Sequence, residues 1–183
     1  MLGVIILLCA AASASAEDRI AATGFYAEVG VGATTFVGAA AEYSEIGPSF
    51  DLHVGYELAS WFSLGGQLSA STHEATVPPP PEGEYYQLYG INVDSRLGFL
   101  LGPIGLFADS GVGLGTVSSN ILSRVDILGP GERFSLLVRA GAGFEYQLLN
   151  RHYAVGLAGQ WMWLPQFDST HTVTTRIYLR YTL

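Results

Sequence analysis

Eight successive runs of alternating residues, an apolar face that stays free of charge along all of them, and connectors that are alternately short and long predict an all-β chain. The architecture they predict is an eight-stranded antiparallel up-and-down transmembrane β-barrel. Side chains alternate across a strand with period two, so such runs read as strands with two different faces. Runs of roughly ten residues are what tilted strands need to cross a bilayer.

The order along the chain begins with an export signal. Leu2 to Ala12 is apolar, and Ala14 and Ala16 form an A-x-A cleavage site, so residues 1–16 read as a signal peptide and 17–183 as a single barrel domain. Cys9, the one cysteine, leaves with the signal, and the mature chain then carries neither a disulfide nor a thiolate metal site. The first run sets Phe25, Ala27, Val29, Val31, Ala33 and Val37 against Tyr26, Glu28, Gly30 and Gly32. The second sets Phe50, Leu52, Val54, Tyr56 and Leu58 against Asp51, His53, Gly55 and Glu57. Phe62, Leu64 and Leu68 stand opposite Ser63, Gly65, Gln67, Ser69 and Ser71 in the third, and Tyr89, Ile91, Val93, Leu97 and Phe99 opposite Asn92, Asp94 and Arg96 in the fourth.

The second half repeats the scheme. Ile104, Leu106, Ala108, Val112 and Leu114 alternate with Phe107, Asp109, Gly111, Gly113 and Gly115. Phe134 to Tyr146 carries Arg139 and Glu145 on its polar face, with Arg133 just before it. Tyr153, Val155, Leu157, Trp161 and Trp163 form the seventh apolar face, and Val173, Ile177, Leu179, Tyr181 and Leu183 the eighth, opposite Arg176, Tyr178 and Arg180. Short links lie at Ala59 to Trp61, Leu101 to Pro103 and Leu148 to His152. Longer ones lie at Gly38–Pro48, His73–Tyr85 (with Pro78 to Pro81), Ser118–Glu132 and Leu164–His171. Short turns at one end and long loops at the other are the asymmetry of an outer-membrane barrel.

Three features put the apolar face outside. It bears no charge, as lipid contact demands; the polar face is rich in Gly, which a narrow lumen needs; and aromatic residues gather at both ends of the runs. Tyr56, Trp61, Phe62, Phe99, Tyr146, Tyr153 and Tyr181 lie near the short turns, and Phe36, Phe50, Tyr89, Phe134, Trp161 and Trp163 near the long loops, as two interfacial girdles. Composition agrees: 49% hydrophobic, 13% charged, 23 Gly, and eight basic residues that are all Arg. A net charge of −8 gives no basic footprint for nucleic acid.

With these strands, turns and girdles, the chain resembles the small eight-stranded outer-membrane proteins typified by the OmpA transmembrane domain and OmpX. Thr174 to Leu183, a terminal strand with Tyr181 as its aromatic, is similar to that group's assembly signal. The resemblance implies outer-membrane lipid, lipopolysaccharide and the barrel-insertion machinery as partners, other envelope proteins as further candidates, and no cofactor.

The inward ionisable residues are the candidate site. Glu28, Asp51, Glu57, Asp94, Asp109 and Glu145 face Arg96, Arg133, Arg139, Arg176 and Arg180 around His53, a set expected to form a structural ion-pair network. Two specific pairs are expected, Glu28 with Arg180 across the closing seam and Arg96 with Asp109 across the short link. Gly111-Val112-Gly113-Leu114-Gly115 superficially looks like a phosphate loop, yet period two puts its glycines on one strand face and no helix follows. Ser71, His73 and Glu74, with His171, are the residues a lipid A deacylase triad would use; their order does not match that family, and a solvated loop is the expected setting. The four His are too scattered for a metal site, and the acidic loop residues (Glu42, Glu45, Glu74, Glu82, Glu84, Asp126, Glu132 and Asp168) make a negative outer rim. The function expected is non-enzymatic, structural or interactive through loops or barrel wall. A small-solute channel of the OmpW kind and a barrel subunit of an envelope-spanning machine, such as gliding motility or secretion, are the alternatives.

Overall fold

The computed structural model describes residues 23–76, 84–118, 126, 133–148 and 152–183. The signal segment and the Pro78 to Pro81 run lie outside the described residues. The strands are β1 (Phe25–Val37), β2 (Gly47–Ala59), β3 (Phe62–Glu74), β4 (Tyr85–Leu101), β5 (Ile104–Val117), β6 (Phe134–Gln147), β7 (Tyr153–Leu164) and β8 (Thr170–Thr182). Each pairs antiparallel with its sequence neighbour, and β1 pairs with β8 from Tyr26↔Thr182 to Val37↔His171, closing the barrel. Closure leaves no free sheet edge, the condition for strands to sit in hydrocarbon.

The faces follow the alternation. Val54 is 52% exposed, Leu106 43% and Leu157 36%, whereas Glu28, Asp94 and Arg176 are buried inside. A soluble barrel would have the reverse arrangement. Phe36 is a correction to the girdle: it shares the phase of Tyr26 and Glu28, and therefore points inward and is buried. Its position at the end of an apolar stretch concealed that phase.

The strands run further than the alternation indicated. The link expected at His73–Tyr85 shrinks because β3 continues through Glu74 and β4 begins at Tyr85, with Ser44↔Ala75 bridging beside them. Residues 165–169 alone join β7 to β8, so that connection is no longer than the link at 148–152; Asp168 and Ser169 make it with positive φ. At the other end Gly102 (φ 64) allows the two-residue turn that keeps Leu101 opposite Ile104. Both strand termini, Phe25 and Thr182, lie at this short-turn end.

Candidate functional site: the barrel lumen

The lumen has two storeys. The lower and middle parts are ionic. Strand alternation brings Glu28 on β1, Asp51 and His53 on β2, Asp94 and Arg96 on β4, Asp109 on β5, Arg139 on β6 and Arg176 and Arg180 on β8 inside, all buried. Glu28 sits at the hub, with Arg176 Nη2 at 2.7 Å, Arg96 Nη2 at 3.0 Å and His53 Nδ1 at 3.8 Å. His53 Nε2 lies 2.9 Å from Asp94 Oδ1 and 3.1 Å from the Tyr26 hydroxyl. Arg139 Nη2 joins Asp94 at 2.7 Å to Asp109 at 3.3 Å. Arg176 also binds Asp51. The Gln160 amide, with its oxygen turned to the guanidinium groups, accepts from Arg139 Nη1 and Arg176 Nε at 3.2 Å.

Toward the short turns Arg180 binds Glu57 and stands 3.8 Å from Glu145, which lies 3.9 Å from Arg96 Nη1. Arg96 rests 4.2 Å over the Phe107 ring and Arg180 3.9 Å over Tyr26. The Tyr178 hydroxyl donates to Glu145 at 3.1 Å. Ten of the eleven carboxylates and guanidiniums expected inside, together with His53, thus form one connected chain. Glycine makes room for it: a Cβ at Gly156 would enter the Tyr178 ring, and one at Gly113 would enter the Ile91 carbonyl. The glycine run on β5 therefore serves packing.

Three expectations are corrected by this geometry. Glu28 and Arg180 are register partners, but Glu28 is taken by Arg176 and Arg96, and Arg180 by Glu57. Arg96 and Asp109 are likewise opposed in register without pairing; Asp109 turns to Arg139. The reason is reach. A guanidinium on a long stem extends toward the centre of a narrow lumen, where carboxylates two strands away or across the barrel are closer than the one beside its own Cβ. Arg133 is exposed ahead of β6 and takes no part.

The upper storey is apolar. Phe36, Ala40, Ala75, Tyr86, Leu88, Val117, Leu137, Leu164 and Phe167 pack together under the loops, with Tyr43 and Met162 against them. Ser71 and His73 belong here and are buried rather than solvated. His73 Nε2 is 2.9 Å from Ser71 Oγ, and Nδ1 donates to the Glu45 carbonyl at 3.0 Å. Phe36 lies edge-on to the His73 ring at 4.8 Å, and the Tyr86 hydroxyl is bonded to Ser44. Glu74 faces outward to the Tyr85 hydroxyl, and His171 stacks on Trp161 outside the barrel, so no triad assembles. The plug escaped the sequence reading, although Leu88, Leu137 and Leu164 hold the inward phase of their strands. Among the described residues no group of three or more His, Cys, Asp or Glu is placed to hold a metal ion.

Comparison with known proteins agrees with the geometry. The sequence matches the outer membrane protein beta-barrel domain over residues 4–174. No curated protein matches it. Neisserial surface protein A overlays with a TM-score of 0.65 at 13% identity, covering 87% of this chain and 97% of that one. The N-terminal β-barrel domain of Pseudomonas aeruginosa OprF overlays at 0.51 with 9% identity, covering 87% and 98%. These likenesses speak for the fold. Closed strands, outward apolar face and family match lead to one conclusion: the chain belongs to the outer membrane protein β-barrel domain family.

Proposed function

We infer that the protein is a sealed, non-enzymatic barrel whose role is structural or interactive and is carried by its outer wall and loops. One observation carries this reading: among the described residues, the ion-pair network and the apolar plug occupy the lumen. Cavities of about 50 Å³ near the short turns and about 30 Å³ beside Asp51, Gln67 and Asn92 hold a few waters at most. Above them lies the apolar plug. A solute would have to part buried ion pairs and then cross an apolar layer, and each step is costly. Signal cleavage after Ala16, insertion by the barrel-insertion machinery and contact with lipopolysaccharide or other envelope proteins complete the proposal.

Among the described residues, the Ser71–His73 pair is the feature that favours an enzyme. It lies under Phe36 and Tyr86, its third hydrogen-bond partner is a backbone carbonyl, and it serves better as a polar strut of the plug. Swelling of proteoliposomes in solutions of small sugars tests the sealed reading. The barrel should leave the rate at the level of empty liposomes. Swelling that rises with protein content would replace this reading with the small-solute channel.

A further inference from the structure

Among the described residues of the apolar storey, His73 is the group whose charge changes near neutral pH. It is fully buried. Ala70 stands in the girdle row with Phe50 and Tyr89, and His73 lies three residues further toward the loops, about 10 Å along the strand. The ring is therefore on the loop side of the girdle, beyond the hydrocarbon. A carbonyl only accepts, so the bond to Glu45 puts the ring proton on Nδ1, and Nε2 accepts from the Ser71 hydroxyl. Both nitrogens of the neutral ring are thus satisfied.

No carboxylate is among the described groups that face this ring. Phe36 faces it from β1, Gly47 from β2, Ser71 from its own strand, Tyr86 from β4 at 5.6 Å, and the Glu45 carbonyl from the loop above. Of these Tyr86 alone titrates, and its hydroxyl is bonded to Ser44. Glu42 and Glu45 are exposed, and Glu74 faces outward to Tyr85. Asp51, in the ionic storey, stands opposite Ser69, four residues below His73, and is held by Arg176. Burial therefore holds His73 below the ordinary histidine range, and the Glu45 carbonyl opposes this only in part.

The cover over the ring is a short separate piece of chain. Residues 38–46 leave β1 at Gly38, whose φ of 86 turns the chain, make a single 3-10 turn at Ala39–Glu42 and re-enter the sheet at Gly47. The Glu45 N–H donates to the Glu74 carbonyl at 3.0 Å, the Thr76 N–H donates to the Tyr43 carbonyl at 3.1 Å, and Ser44 is bonded to Tyr86. A segment held by a few bonds at the rim opens at lower free energy than the ladders beneath it.

We propose that residues 38–46 are an acid-sensitive lid: they close over neutral His73, and a proton bound at Nε2 opens them. An imidazolium has no counter-charge in this apolar box and gains water only when the lid lifts. The open ring takes up its proton at the ordinary value, about 6.5, and the closed ring only at lower pH. Closure is therefore fully stable above that value and is lost as the pH falls below it. The long loops of such barrels face the cell exterior, so acid outside uncovers the apolar plug while the ionic storey stays in place.

Hydrogen exchange of the Tyr43 and Glu45 amides in the refolded barrel in lipid, followed by NMR and corrected for the intrinsic rate at each pH, tests it. The open fraction should rise by up to about tenfold per pH unit below about 6.5, while strand amides beside Glu28 and Asp94 keep their protection. His73→Gln, neutral throughout, should remove this dependence. In the same parent samples the His73 ring nitrogens should titrate below the ordinary value and in step with the exchange. Lid exchange that does not change with pH, a ring that titrates at or above the ordinary value, or an unchanged dependence in His73→Gln would overturn the proposal. If that variant does not fold, the ring titration and lid exchange of the parent decide the matter together. At neutral pH, where swelling is measured, the lid is closed, so the two readings fail separately.

Discussion

The two storeys of the lumen close the same barrel by opposite physics. In the ionic storey each charge is stabilised by others, so Glu28 is held by Arg176 and Arg96, and its loss leaves both without their shared partner. In the apolar storey Leu137, Leu164 and Phe167 exclude water by packing, and loss of one leaves a cavity but no stranded charge. A network of charges fails abruptly and through particular partners, whereas a packed plug fails gradually and by volume. The barrel therefore combines a specific seal with a tolerant one.

Substitutions that separate these behaviours are ranked by expected effect on stability, read from urea titration of the refolded barrel in lipid. Glu28→Gln should be the most damaging, by about 3–5 kcal/mol, because Arg96 and Arg176 stay buried after losing the carboxylate they share, Arg96 keeping only Glu145 at 3.9 Å and Arg176 only Asp51. A loss below that of a simple cavity would show that the hub is not where the network is held. Leu106→Arg on the outer face should lose about 2–4 kcal/mol near the bilayer centre. If it folds as well as the parent, the outward assignment of that face fails. Leu137→Ala should lose about 2–3 kcal/mol, toward the lower part of the range for such truncations because the loops above can settle into the space. Asp109→Asn should have the smallest effect, because its buried carboxylate makes no hydrogen bond and Arg139, 3.3 Å away, keeps Asp94 at 2.7 Å. A loss there as large as at Glu28 would show that the network is uniform and has no hub.

The ionic storey was legible in the sequence and the plug was not, for physical reasons. Charged residues on alternating runs report their own phase, because a charge cannot face hydrocarbon; Asp94, Arg96 and Asp109 could only point inward. An apolar residue reports no such thing. Leu88 and Leu137 are as acceptable facing lipid as facing a dry lumen, and Phe36 read as girdle for the same reason. Register was legible in part: the short link before Ile104 allows Arg96 to stand opposite or diagonal to Asp109, and the turn at Gly102 makes them opposite. Pairing was not, because register sets Cβ positions while a guanidinium chooses partners across the lumen. Buried Ser71 and His73 were misplaced because β3 runs to Glu74, and nothing in Ser71 to Glu74 distinguishes the end of a strand from the start of a loop.

If the two storeys together seal the barrel, single-channel recording from the purified protein in a planar bilayer reads that seal. The sealed lumen predicts no discrete conductance steps above the bare membrane at any applied voltage the bilayer tolerates. Reproducible steps from the parent chain, altered in size by Arg139→Gln or Asp109→Asn, would show an aqueous path past the network and through the plug, and an open lumen.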